Sequence, residues 1–246
     1  MELSAIGWCD FSGGSANFVT GCTPVSEGCA HCYARSIYER FGRARDFERV
    51  RFDGDKLRRL ARTRWPEYSP KRGAPHRPTV FVCDTGDLFH EAVQDAQVRD
   101  ALRAMNRAAN VNWVVLTKRA ERMHNLLVPF GRLPEHIWLG VSVENDANTW
   151  RLEWLKRTPA AMRFVSIEPM LGPVTLSDAG WLDWVIVGAE SGPRRRPFDV
   201  AWAASVKERC AALGVPFFGK QASGLRPGAP LLFDGEECKQ WPGSRS

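Results

Sequence analysis

The sequence predicts an α/β fold: a partial, laterally open (βα)6 TIM-type barrel carrying an inserted basic segment and a C-terminal tail. Three observations carry that prediction. From Thr79 onward, short apolar runs alternate with amphipathic stretches of helical spacing. The runs are apolar on both parities, as strands of a parallel sheet covered on both faces must be. About seven such strands, with six connecting segments, are too few to close an eight-fold barrel.

Taken in order, a strand ahead of Gly21 leads into a cysteine-bearing loop. Ala34, Ile37 and Phe41 then mark a helix that Gly42 can stop. Residues 43–78 break the rhythm and read as a basic insertion. Thr79–Cys83 is a strand, followed by helical spacing at Val98, Ala101, Leu102, Met105 and Ala109. The strand Asn112–Leu116 ends in Thr117-Lys118-Arg119, and Met123, Leu126 and Leu127 mark a short helix. Ile137–Val143 and Arg163–Ile167 are strands flanking a helix through Leu152 and Leu155. Trp184–Val187 closes on Gly188-Ala189-Glu190. A last helix has Asp199 as N-cap and Gly214 as its stop, and Val215–Phe218 is the final strand. Residues 222–246 read as a tail packed on a single domain spanning 1–246.

The 246 residues suffice for a full core without staples. No stretch approaches the ~20 apolar residues of a membrane span, and the N-terminus lacks a basic region followed by an apolar one. A cytoplasmic protein with no membrane partner is therefore expected. The net charge is +6, but residues 43–77 alone hold 12 Lys/Arg against 5 Asp/Glu. A second knot, Arg194-Arg195-Arg196, lies between prolines. Such concentration suits a phosphate backbone, although a solvated basic face has the same composition. It nominates Arg58, Arg59, Arg62, Arg64, Arg194, Arg195 and Arg196 as nucleic-acid contacts, with Trp65 as a base-stacking ring. Trp113, Trp138 and Trp184 sit in core-like strands.

Of seven cysteines, three crowd into eleven residues: Cys22, Cys29 and Cys32, spaced C-x6-C-x2-C. Gly21, Pro24 and Gly28 bend the chain so that three sulfurs can face one point. Three thiolates serve three irons of a [4Fe–4S] cubane and leave the fourth iron open to a small molecule. Zinc would need a fourth ligand, from His90 or Cys9. Spacing alone does not separate the two metals. Cys83 and Cys210 read as small buried hydrophobes.

Nearly every predicted strand ends in polar residues: Asp84, Thr85 and Asp87; Thr117 and Lys118; Ser142 and Glu144; Glu168; Glu190; Lys220 and Gln221. In α/β barrels these ends converge on the active site.

The triad, in the form Gly21-Cys22…Gly28-Cys29-Ala-His31-Cys32-Tyr33-Ala34, resembles the radical S-adenosylmethionine superfamily, near its spore photoproduct lyase and DNA-repair branch. It is similar also to a phage-borne family of unassigned function, through the blocks Gly86-Asp-Leu-Phe-His90, Leu116-Thr-Lys-Arg119, Trp138-Leu-Gly-Val-Ser-Val-Glu144, Ser166-Ile-Glu-Pro-Met-Leu-Gly-Pro173 and Val187-Gly-Ala-Glu-Ser-Gly-Pro193. The resemblance implies an enzyme of lyase or repair type using a [4Fe–4S] cluster and S-adenosyl-L-methionine to generate a 5′-deoxyadenosyl radical. It implies nucleic acid, with DNA favoured, as substrate, and an external electron donor of the flavodoxin or ferredoxin type. Lys118 and Ser142 match residues that hold the methionine carboxylate in the lyase branch. His31 or Tyr33 takes the place of a ring beside the adenine, and Asp84, Thr85, Asp87, Thr117, Glu144, Glu168 and Glu190 are the remaining cofactor candidates. Cys83 is a weak candidate for the lyase's hydrogen-donating cysteine. The six-residue first gap departs from the superfamily's commonest spacing of three. Two other readings stand beside this one: a radical enzyme modifying a peptide or small molecule, and a non-catalytic, metal-stabilised nucleic-acid-binding protein.

Overall fold

A computed structural model describes residues 3–71 and 73–243. Six strands form one sheet in sequence order: β1 (Thr79–Val82), β2 (Asn112–Thr117), β3 (Ile137–Ser142), β4 (Met162–Ile167), β5 (Trp184–Gly188) and β6 (Phe217–Gln221). All neighbours pair parallel, and the sheet curls into a half-barrel left open at the side. The helices are α1 (Tyr33–Arg40), α2 (Gly54–Leu60), α3 (Asp95–Arg107), α4 (Ala120–Leu127), α5 (Trp150–Arg157) and α6 (Val200–Leu213), with a single turn at Ala44–Phe47. The sequence signals for α6 act as expected. Asp199 accepts a 2.8 Å bond from the Ala201 N–H, and Gly214 ends the helix at φ 64°. The final strand begins at Phe217 rather than Val215, because Pro216 has no N–H to give the ladder.

The strand expected before the cysteine loop does not join the sheet. Val19–Thr20 pairs antiparallel with Arg51–Phe52, and the N-terminal segment runs beside β1 and the loop after it through the isolated bridges Phe11↔Val80 and Gly21↔Gly86. Between those bridges Gly13 and Gly14 take positive φ and start a 3₁₀ turn, which interrupts the ladder.

Residues 43–78 are basic outside and apolar inside. Leu57 and Leu60 of α2 enter the core. Trp65 corrects the sequence reading, since it is buried against Phe11 and Trp113, with ring centroids 5.8 and 5.5 Å away, and offers no face for a base.

Side-chain alternation sorts the sheet into two cores. Val80, Val115, Leu139, Val165, Val187 and Phe217 pack toward the helices. On the concave face, Phe81, Val114, Trp138, Phe164, Trp184 and Phe218 interlock with Trp8 and Trp241. Trp184 stacks on Trp241 at 5.4 Å, and its Nε1–H donates to the Gln240 carbonyl, so the tail closes one end of the half-barrel. Phe164 fills the space over Gly140, where a Cβ would lie 2.3 Å from its ring. The aromatic plug occupies the N-terminal half of the concave face and leaves the C-terminal half to polar groups.

Candidate active site

Beyond the plug, Lys118, Ser142, Ser166 and Lys220 share the concave parity of the strands they continue. Ser142 and Ser166 are register partners across β3 and β4. Ser166 Oγ donates to Glu168 Oε2 at 3.0 Å, and Trp8 Nε1–H donates to the same oxygen at 3.1 Å. Lys220 Nζ lies 2.9 Å from Glu168 Oε1. That carboxylate lies across Gly188, where a Cβ would come within 2.4 Å of Oε1. Glu168 is thus fixed as a neutralised floor between the aromatic plug and the polar half.

The cysteine loop is laced across the strand ends. Gly21, at φ 85°, donates its N–H to the Thr85 carbonyl at 2.9 Å. Ser26 Oγ donates to Glu144 Oε1 at 2.6 Å, and Glu144 is wholly buried, 2.7 Å from Arg151 and 3.6 Å from Lys118. Gly28 is where the loop crosses that side chain: a Cβ there would lie 2.5 Å from Glu144, so only glycine permits the approach. His31 Nδ1 is 3.2 Å from Glu190 Oε2, and the Tyr33 hydroxyl donates to the Asp84 carbonyl. Arg119 reaches back to Cys22 Sγ at 3.4 Å and to the Thr23 carbonyl at 3.1 Å.

Several predicted strand-end residues hold other residues of the site in place. Asp87 accepts from Thr117 Oγ1 at 2.8 and 2.9 Å and from Arg119 at 3.0 Å, so Asp87 and Thr117 aim the guanidinium at the loop. Glu190 takes the Arg196 N–H at 2.8 Å as well as its guanidinium. Burial works against ionisation of Glu190, but the bonds from Arg196 and His31 outweigh it and hold the carboxyl below its usual range. Asp84 is the opposite case. Burial raises its pKa, and hydrogen bonds from Asn17 and Ser12 only partly oppose that.

All seven cysteines are free thiols. Cys22, Cys29 and Cys32 are half-buried, whereas Cys9, Cys83 and Cys210 are buried. Cys83, at φ 57°, packs with the helix-side core, so its thiol is not turned to the concave mouth as a hydrogen donor would need. Among the described residues no three His, Cys, Asp or Glu side chains converge as a ready-made metal site. Both residues that the sequence offered as a fourth zinc ligand, His90 and Cys9, are committed elsewhere. His90 Nδ1 accepts from the Ala92 N–H at 3.0 Å, which leaves Nε2–H to bond Thr23 at 2.8 Å; burial and then Arg119 lower its pKa. Cys9 is wholly buried, and burial pushes its thiol up to about 12. Burial, then Asp87, pushes Cys22 up to about 11, while Arg119 favours its thiolate.

A protein-family model described as "Protein of unknown function (DUF5131)" matches residues 3–231. The chain belongs to that family. A solved structure of a spore photoproduct lyase complexed with a dinucleoside spore photoproduct is similar over 86% of this chain and 75% of that one, at 11% identity and a TM-score of 0.47. No curated protein matches the chain. No described helix of this family member is long and apolar enough to cross a membrane.

Of the predicted nucleic-acid contacts, Arg58, Arg59, Arg62 and Arg64 are exposed beside α2, with Arg58 paired to Asp55. Arg194 pairs with Glu39 at 3.2 Å, Arg195 is exposed, and Arg196 is bound to Glu190, so the arginine knot is partly spent on the site itself. Ser26, Arg119, Arg151 and Ser166 were not singled out by sequence. Ser166 carries a sequence signal, since it keeps the parity of Phe164 one turn of the pleat before the charged Glu168.

Proposed function

We propose that this chain is a radical S-adenosylmethionine enzyme that holds a [4Fe–4S] cluster on Cys22, Cys29 and Cys32 and acts on nucleic acid, DNA foremost. One observation carries the reading: the loop bearing three free thiols is hydrogen-bonded over the ends of β1, β2, β3 and β5, at the mouth of the polar half-barrel. Cys22, Cys29 and Cys32 would hold the cluster, which with S-adenosylmethionine and an external electron donor of the flavodoxin or ferredoxin type would supply one-electron chemistry of the 5′-deoxyadenosyl-radical kind.

The chain's own residues orient and shield. Lys118 Nζ brings a point charge and Ser142 Oγ a directional donor, a pair suited to the methionine carboxylate. Glu144 positions both Lys118 and the loop serine, Ser26. Asp84, partly buried, can accept from the ammonium or a ribose hydroxyl, with Thr85 beside it. His31 and Tyr33 flank the last cysteine as candidate adenine neighbours, each already anchored to a strand end. The Glu168–Lys220 pair and the aromatic plug beneath it exclude water from below.

The test is a substrate-free assay. Anaerobically reconstituted, reduced protein should release 5′-deoxyadenosine and methionine in equal amounts from S-adenosylmethionine. Lys118→Ala should raise the KM for the cofactor about tenfold or more, the loss of one charge-assisted hydrogen bond. Reconstituted protein that releases no 5′-deoxyadenosine would contradict the reading.

A further inference from the structure

A groove runs alongside α1, with Thr85 of the first strand end at its inner end. Its volume is about 690 Å³, and it is bounded by α1, the 3₁₀ turn at Gly14–Ala16 and the basic segment around α2. We infer that this groove binds a single-stranded nucleic-acid segment, its phosphates on Arg43, Arg51, Lys56 and Arg59 and an unstacked base on Phe41. The inference rests on the nucleic-acid reading above and adds to it a site, a strand form and a direction.

Four cations line one groove, and only Arg43 among them is held in an ion pair, with Asp46. Asp46 is engaged by Arg43 at 2.8 Å and by Arg49 at 3.7 Å. Asp53 is the N-cap of α2, accepting from the Lys56 N–H at 2.9 Å, and its charge acts on Lys56 and Arg59 without an ion pair to either. Among the described residues Arg51, Lys56 and Arg59 make no side-chain ion pair. Unpaired cations converging on a cavity are the electrostatic footprint of a phosphate chain.

The opposite wall is aromatic. Phe41 is 72% exposed at the end of α1, far more than its apolar ring favours, and Tyr38 beside it is backed by Phe47 at 5.3 Å. A basic track with an exposed ring is the pattern by which single strands are held, since every base has a face to stack. Duplex bases, stacked on one another, cannot use such a ring.

The direction follows from Thr85. It lines the inner end of the groove, and its carbonyl bonds the Gly21 N–H next to Cys22. A strand laid over the basic wall therefore runs toward the cysteine loop and presents its next nucleotide to the mouth of the half-barrel.

Fluorescence anisotropy of a labelled oligothymidylate of about 12 nucleotides, titrated with the full chain across a salt series, tests this. Combining Arg51→Ala, Lys56→Ala and Arg59→Ala should weaken binding at least tenfold at low salt and make the slope of log K against log salt shallower by about 2. Phe41→Ala alone, at an exposed ring that leaves the fold intact, should weaken binding about fivefold or more with no change of slope. Wild-type affinity in both variants would overturn the groove while leaving nucleic acid as substrate. A wild-type chain that binds no oligonucleotide at low salt would overturn the groove and the nucleic-acid reading together. Tighter binding of polyglutamate than of oligothymidylate, lost in the triple variant, would assign the groove to an acidic protein and overturn the inference.

Discussion

Cys29→Ala combined with Cys32→Ala is expected to leave the reconstituted protein colourless, with iron falling from about four atoms per chain to near zero. Two of the three proposed ligands are removed, and neither His90 nor Cys9 is free to replace them. His90 is held by Ala92 and Thr23, and Cys9 is sealed in the core. The metal-free variant should melt within about 2 °C of metal-free wild type, because the Cys29 thiol makes only a 3.9 Å contact with Ser26 and surface-proximal changes of this kind cost little. Iron analysis and differential scanning calorimetry on the same samples read both outcomes. Retained iron and colour would remove the cysteine loop from the metal site.

Glu144→Ala should be the most damaging single substitution, at about 3–5 kcal/mol, equivalent to roughly 6–20 °C in Tm for a chain of this size. The carboxylate is wholly buried and is the charge partner of Arg151, itself 1% exposed and already carrying an Nε without a partner. Removing it leaves a buried guanidinium uncompensated, which is far costlier than the net worth of the pair. It also frees Ser26 and Lys118, so cluster loading should fall together with stability. Glu144→Gln, which keeps the shape and part of the hydrogen bonding, should lose less. Urea unfolding of the metal-free proteins gives the comparison, and a loss below about 1 kcal/mol for Glu144→Ala would contradict the assigned role.

Both predictions turn on residues that the sequence exposed unevenly. The six parallel strands were readable because a strand covered on both faces is apolar on both parities, and α6 because Asp199 and Gly214 are local signals with local causes. The segment before the cysteine loop was not, since its register with β1 is broken at Gly13 and Gly14 by backbone conformation. Trp65 misled because Arg62 and Arg64 beside it are exposed, while its own ring turns inward onto Trp113.

Within the site, the sequence brought the right strand ends together without distinguishing their work. Asp87 and Lys118 look alike as polar residues closing a strand. Only the tertiary partners reveal that Asp87 and Thr117 aim Arg119, whereas Lys118 keeps a charge near the mouth. The lacing of Ser26 to Glu144 and of His31 to Glu190 spans more than a hundred residues in each case, a separation no local pattern encodes.

A cluster held by three cysteines has one iron left for S-adenosylmethionine. The most direct measurement is the electron paramagnetic resonance spectrum of the reduced, reconstituted protein recorded with and without S-adenosylmethionine. A shift in the cluster signal on adding the cofactor is the predicted result, and superimposable spectra at saturating cofactor would contradict it.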